Sequence, residues 1–373
     1  MMGNSSLRKA AKVKNDEFYT VYNYIQNEIN AYLEYDKDVF KDKTILLPCD
    51  DPEWSNFTKY FAQNFERLGL KKLISTSYSV ESKKQKYGQY YQLSIFDDKS
   101  EKVDEQKELL NGKIFTLSRD VNKSGTINFD DLEWDYLEGD GDFRSKEISD
   151  LRDKADIIIT NPPFSLFREF LAWVLEAKKQ VLIIGTQNAI TYKEVFPMIK
   201  ENKLWIGATA NNSDMVFAVP EGAEVSEKDR EKAAKLGYVG NYTRLGNACW
   251  FTNLEHGRRH EKLGLITRVD NLRYNKKLIR KLDRDFNVDD YPKYDNYNAI
   301  EIPFVDAIPS DYNGIMGVPT TFLAKYNPEQ FKLLGIMNTG EENKGIRYED
   351  TPHGRPIVNG KEIYIRILIE HRR

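Results

Sequence analysis

The sequence predicts an α/β fold with β-α-β units around an open sheet. Three stretches carry that prediction. Residues 156–160 are a β-branched apolar run, stopped by Asn161, Pro162, Pro163 and Phe164; this reads as a buried strand ending in a rigid loop. Residues 43–78 give strand, helix and strand signals in turn, and residues 164–185 give helix and then strand. Such alternation places helices between the strands of one sheet.

From the amino terminus, residues 1–14 carry Arg8, Lys9, Lys12 and Lys14 and no acid. They read as a solvated tail or a phosphate-touching arm. Phe18, Tyr19 and Thr20 follow, then Val21, Tyr22, Ile25, Ile29 and Tyr32 at helical spacing.

The strand at 43–51 ends in Asp50 and Asp51, and Pro52 permits a helix start. That helix shows Phe57, Tyr60, Phe61, Phe65 and Leu68 on one face and stops at Gly69. Residues 72–78 form the next strand. Acids at the first strand end of a β-α-β unit suit the polar groups of a nucleoside; they also suit a helix cap. No Gly-x-Gly is present here, and a ligand without phosphates does not need one.

Residues 82–126 read as an irregular insertion with a hairpin, carrying Tyr87, Tyr90 and Tyr91. Residues 127–142 hold seven acids and no base, so this segment is expected to face away from any nucleic acid. Its end, Gly139 to Phe143, offers Asp142 for an adenine amine and Phe143 for stacking, or is simply an acidic turn.

The Asn-Pro-Pro-Phe loop has a derivable chemistry. Pro162 and Pro163 have a fixed φ and no N–H, so they present carbonyls only. Asn161 adds a side-chain oxygen. Two fixed acceptors beside the Phe164 ring suit a planar nucleus with an exocyclic NH₂. Those bonds draw the nitrogen lone pair out of conjugation and aim it at an electrophile.

Residues 164–177 are expected to be helical and 180–185 a strand, with a helix from 186–188 to Lys200. Short strands at 203–206 and 215–219 and a charged helix at 221–236 follow. The strand at 248–252 carries Trp250 and Phe251, which must face opposite sides, so only one can face the site. Residues 256–284 hold ten Lys or Arg against three acids. Arg273, Lys276, Lys277, Arg280 and Lys281 are therefore candidates for a phosphate-contacting face, with a solvated basic helix as the alternative. The change of character sets two domains, 1–254 and 255–373.

Composition narrows the classes. The chain has 373 residues, 40% hydrophobic and 12% aromatic, with a net charge of −3. That is ample for a core, and nucleic-acid binding would need a local patch. Apolar runs are too short for a membrane span. Two cysteines exclude a disulfide framework and a four-Cys zinc site. A cytoplasmic, metal-free chain is expected.

These motifs occur together in one order: Asp-Glu-Phe-Tyr-Thr at 16–20, Cys-Asp-Asp-Pro at 49–52, Ser-Asn-Phe at 55–57, Gly-Asp-Gly-Asp-Phe at 139–143, Asn-Pro-Pro-Phe at 161–164 and Cys-Trp-Phe-Thr-Asn at 249–253. The set resembles the EcoRI-type adenine-specific DNA methyltransferases over most of the chain. The resemblance implies a Rossmann-like S-adenosylmethionine-dependent methyltransferase sheet followed by an α+β target-recognition domain. It implies S-adenosylmethionine as donor and adenine N6 in duplex DNA as acceptor, reached by base flipping. Carried over, Phe18, Tyr19 and Thr20 line the methionine end of the cofactor. Asp50 and Asp51 are the acidic strand end, and Asp142 and Phe143 contact the cofactor adenine. Asn161, Pro162, Pro163 and Phe164 form the catalytic loop, and Trp250 or Phe251 packs on the target base. No metal is implied and a monomer is expected, with a cognate restriction endonuclease as a partner to look for. The usual glycine-rich first loop is replaced by Cys-Asp-Asp-Pro, a departure the EcoRI-type branch shares. The competing readings are an RNA or glutamine methyltransferase, and a DNA-binding decoy without activity.

Overall fold

A computed structural model describes residues 18–51, 55–79, 104–209, 215–219, 225–337 and 354–372. The basic stretch at 1–14, Pro52 and the tyrosines at 87, 90 and 91 lie outside the described residues. The chain divides into two compact units, residues 1–187 with 207–255, and residues 188–206 with 256–373. The sequence pattern places a single boundary near 254. In this division residues 188–206 group with the second unit, and the chain crosses between the units three times.

Numbered in chain order, the strands of the first half are β1 (Tyr19–Thr20), β2 (Thr44–Leu47), β3 (Lys72–Ser77), β4 (Lys113–Leu117), β5 (Glu133–Tyr136), β6 (Ile157–Thr160) and β7 (Gln180–Thr186). After β8 (Trp205–Ile206), which lies in the second unit, come β9 (Met215–Ala218), β10 (Tyr242–Leu245) and β11 (Ala248–Thr252). The large sheet of the first unit runs β5-β4-β3-β2-β6-β7-β11. Its middle four strands are parallel, and β4, β5 and β11 join antiparallel.

The middle strands read Thr-Ile-Leu-Leu and Ile-Ile-Ile-Thr, and every residue of both is buried. A parallel strand covered on both faces requires such a continuous run. On one face, Ile45, Leu47, Ile157 and Ile159 join a core with Phe57, Tyr60 and Phe61 of the helix Asn56–Gln63. The helix Phe167–Glu176 buries Phe167, Phe170, Leu171, Trp173 and Val174.

The acidic segment contributes a strand to the sheet. Its residues Glu133 to Tyr136 pair with β4 as the edge of the sheet. Glu133 and Asp135 are exposed there, and charges along an edge discourage pairing with another chain.

From β2 the chain passes to β3 on one side, and β6 lies on the other side of β2. The carboxyl ends of β2 and β6 thus flank a topological switch point, where open α/β sheets bind ligands. A small antiparallel sheet, β1-β9-β10, pairs Tyr19 with Ala218 and Thr20 with Phe217.

The second unit has a four-stranded sheet, in order Ile300–Glu301, Met316–Pro319, Arg366–His371 and Phe331–Met337. Glu301, fully buried, accepts from Arg366 at 2.6 Å and from the Tyr294 hydroxyl. The basic segment forms the helices Arg268–Tyr274 and Lys276–Phe286. The second buries Leu278, Leu282 and Phe286, spaced by four, half-buries Lys281 and Asp285, and exposes the rest.

Candidate active site

The loop after β6 stands at the switch point. Asn161 Nδ2 donates to the main-chain carbonyl of Phe18 at 2.5 Å. That bond fixes which end of the amide points where. Its other end, Oδ1, is buried and accepts no hydrogen bond from the described residues. A buried acceptor left unmatched costs about 1–3 kcal/mol, a cost that a ligand N–H would remove. Pro162 and Pro163 are buried and cannot donate. The rings of Phe18 and Phe164 lie 5.7 Å apart, and each contacts Phe217, at 6.1 and 6.4 Å. The structure therefore brings the 18–20 motif against the Asn-Pro-Pro-Phe loop, although 143 residues separate Asn161 from Phe18.

Thr20 is buried, and its hydroxyl also has no partner among the described residues. Its carbonyl accepts from Asn56 Nδ2 at 2.8 Å.

The two strand-end acids separate. Asp50 is buried, with Oδ2 accepting from Thr160 Oγ1 at 2.5 Å and Oδ1 from Ser55 Oγ at 2.7 Å. Burial pushes its carboxyl up to about 7, against the two hydroxyl bonds, and the Asp51 charge adds to the rise. Both oxygens of Asp50 are thus engaged inside the protein. Asp51 is only half-buried, and its carbonyl accepts from Ser55 N at 2.7 Å. The helix-capping role falls to Ser55, whose hydroxyl accepts from Phe57 N.

The Gly139 to Phe143 loop lies on the end of β3, where the Asp140 carbonyl accepts from Ser79 N at 2.8 Å. Gly141 has φ +86°, and a Cβ there would stand 2.3 Å from the Ser77 carbonyl oxygen, so only glycine fits. Asp142 holds Arg144 at 2.7 Å, and Arg144 also reaches Glu169.

Two expectations about aromatic rings need correction. Phe143 is fully buried against Phe170 and Trp173, at 5.1 and 5.6 Å; it is a core residue and shows no face to an adenine. Trp250 and Phe251 do face opposite sides of β11. Both are fully enclosed, Trp250 on Phe57 and Phe251 on Phe167. β11 is covered on both faces, so neither ring is placed to lie on a base.

Sequence reasoning missed Glu28. It is fully buried on the helix Tyr22–Tyr35 and accepts from Tyr32, Ala208 N, and the N–H and hydroxyl of Thr209. Burial raises its carboxyl despite those bonds. The visible signal was an acid on the apolar stripe of Ile25, Ile29 and Tyr32. Thr160, Ser55 and Asn56 were missed as partners of the site, because nothing local marks a hydroxyl or amide as half of a long-range bond.

In the second unit, Arg273, Lys276 and Arg280 are exposed, and neither Lys276 nor Arg280 is paired with an acid among the described residues. Lys277 lies 3.8 Å from the Phe304 ring centre and 3.9 Å from Asp306. Lys281 is paired with Asp285. The five basic candidates are therefore unequal. Among the described residues no helix is long and apolar enough to cross a membrane, and no group of three or more His, Cys, Asp or Glu side chains is placed to hold a metal.

The family described as adenine-specific methyltransferase EcoRI matches residues 6–372. The chain belongs to that family. It is 42% identical to Type II methyltransferase M.EcoRI of Escherichia coli, over 99% of this chain and 97% of the relative. It is 33% identical to Type II methyltransferase M.MgeORF184P of Mycoplasma genitalium, over 97% of each. Type II methyltransferase M.MpnI of Mycoplasma pneumoniae is also 33% identical, over 98% of this chain and 97% of the relative. No solved structure matches. The chain is thus an adenine-specific DNA methyltransferase of the EcoRI type, and its Asn-Pro-Pro-Phe loop belongs to a protein of that chemistry.

Proposed function

We propose that this chain transfers a methyl group from S-adenosylmethionine to the N6 amine of an adenine extruded from duplex DNA. The observation that carries the reading is Asn161, held by its Nδ2 on the Phe18 carbonyl with Oδ1 buried and unmatched. An oxygen held in that way is an acceptor prepared for an amine hydrogen.

The residues at the switch point fit the donor molecule. The unmatched Thr20 hydroxyl offers a polar contact to its amino-acid end, and Asp51, at the end of β2, offers a carboxylate to the nucleoside hydroxyls. When bound, S-adenosylmethionine supplies a methyl group activated by a sulfonium. Asn161 Oδ1 and the Pro162 carbonyl accept the two amine hydrogens, which localises the nitrogen lone pair. Phe164 supports the plane of the base. This is orientation plus preorganised dipoles, the two effects that carry most of such an acceleration. Arg273, Lys276 and Arg280 hold phosphates and set register without reading sequence.

Incubating the purified chain with duplex DNA and isotopically labelled S-adenosylmethionine tests the reading. N6-methyladenine at a defined site is the expected product by mass spectrometry. Label found in RNA or in protein glutamine, with none in DNA, would overturn it.

A further inference from the structure

Four hydrogen bonds around the switch point close on one another. Asp50 Oδ2 accepts from Thr160 Oγ1 at 2.5 Å, and Asp50 Oδ1 accepts from Ser55 Oγ at 2.7 Å. Ser55 is followed in the chain by Asn56, whose Nδ2 donates to the Thr20 carbonyl at 2.8 Å. Two residues back is Phe18, whose carbonyl accepts from Asn161 Nδ2 at 2.5 Å. Asn161 is the chain neighbour of Thr160. The ring Asp50, Ser55, Asn56, Thr20, Phe18, Asn161, Thr160 and back to Asp50 is thus complete. It joins four separate segments: the end of β2, the cap of the helix Asn56–Gln63, the strand β1 and the end of β6.

A closed ring constrains more than its bonds taken singly. The Asn161 amide is held from two directions, through the Phe18 carbonyl and through the backbone step from Thr160. Thr160, Ser55 and Asp50 are buried, so water does not readily replace a missing member. Ser75 Oγ and Thr58 Oγ1 also donate to the Asp50 carbonyl, which fixes the hub on its main-chain side. None of Thr160, Ser55 or Asn56 is needed to touch an amine or a methyl group.

We infer that Thr160 and Asn56 are positioning residues for methyl transfer, acting through the ring that orients the Asn161 amide. The inference rests on the reading of Asn161 given above. Breaking the Thr160 bond leaves the polar groups for the donor molecule in place and loosens the amide, whereas breaking the Asn56 bond also frees the Thr20 segment, so donor affinity is read as a control on Thr160→Val alone. The effect of Thr160→Val therefore falls on turnover. A misplacement of about 1 Å in such a constellation costs up to about a hundredfold in rate.

The test uses the full chain in four forms beside wild type: Thr160→Val, Thr160→Ser, Asn56→Ala and Asn161→Ala. Methyl transfer by wild type and its fall by about a hundredfold or more in Asn161→Ala report on the underlying reading. The other three report on the ring. Thr160→Val removes the hydroxyl with nearly the same volume, and is expected to lower kcat about tenfold to a hundredfold. KM for DNA and the dissociation constant for S-adenosylmethionine should stay within about threefold. Thr160→Ser restores the hydroxyl and should recover most of kcat, which a role limited to packing would not produce. Asn56→Ala lies on the opposite side of the ring and should repeat the fall in kcat if Thr160→Val fails to fold. A kcat near wild type in folded Thr160→Val or in Asn56→Ala overturns the inference. So does Thr160→Ser being as slow as Thr160→Val. If wild type itself methylates no adenine, the underlying reading has failed, and the ring is then read by NMR: an unchanged Asn161 side-chain amide signal in Asn56→Ala would overturn it separately.

Discussion

Asn161 Nδ2 donates to the Phe18 carbonyl across 2.5 Å. One bond thereby decides the orientation of an amide and leaves its oxygen without a partner among the described residues. The aromatic motif at the start of the described chain and the loop after β6 meet at this bond, which ties the first segment to the loop proposed to carry the chemistry.

Replacing Asn161 by Ala removes the acceptor and the anchor together. In single-turnover measurements the methyl-transfer rate is expected to fall by about a hundredfold to a thousandfold, the scale of removing one preorganised dipole. Affinity for S-adenosylmethionine, measured by calorimetry, should change little.

Asp50 and Asp51 are expected to part company as variants. Asp51→Asn should weaken S-adenosylmethionine binding by about tenfold, the worth of one charged hydrogen bond. Asp50→Asn should alter that affinity less, because both its oxygens already face Thr160 and Ser55. Calorimetric titrations with equal effects for the two would refute this division.

Asp50 also makes a pH prediction. Its carboxyl is raised from 3.8 to about 7 by burial. The folded state holds the proton more tightly than the unfolded state, so this group's contribution to stability is fully present below about pH 4. It declines as pH rises toward 7 and is flat above that. Urea midpoints of wild type and Asp50→Asn, compared between pH 4.5 and 8, should converge toward low pH and differ most near neutrality, with the Asn form relatively favoured there. A constant difference would show that the carboxyl does not titrate in this window.

Gly141→Ala should destabilise the first unit by about 1–3 kcal/mol or more, because it forces a side chain into a left-handed backbone conformation. The new Cβ would also meet the Ser77 carbonyl oxygen at 2.3 Å. Urea denaturation measures this directly. A neutral result would mean that the 139–143 loop does not rest on the end of β3.

Charge reversal on the basic helix should divide the candidates. Lys276→Glu with Arg280→Glu removes two exposed cations. The slope of log affinity against log salt should become shallower by roughly 0.9 for every phosphate that these side chains no longer neutralise. Lys281→Glu should do less, since its charge already faces Asp285. Salt titrations of DNA binding in which all three changes had equal effect would leave the paired and unpaired cations indistinguishable.

The sequence by itself determined the sheet and the candidate reacting loop. Runs such as 44–47 and 157–160 suit central parallel strands buried on both faces, and two consecutive prolines end such a strand. The order of short motifs was enough to determine the family. Partnership across the chain was decided by tertiary structure alone. Nothing near Thr160 says that its hydroxyl meets Asp50, 110 residues away, and nothing near Phe18 says that its carbonyl takes the Asn161 amide. The same limit explains the misassigned rings. Phe143, Trp250 and Phe251 carry the chemistry of a stacking surface, but an aromatic ring stacks on a ligand or fills a core according to what covers it, and here helices and strands distant in sequence cover all three. Local pattern encodes which face of an element is apolar. Long-range packing decides which of its polar and aromatic groups remain available for chemistry.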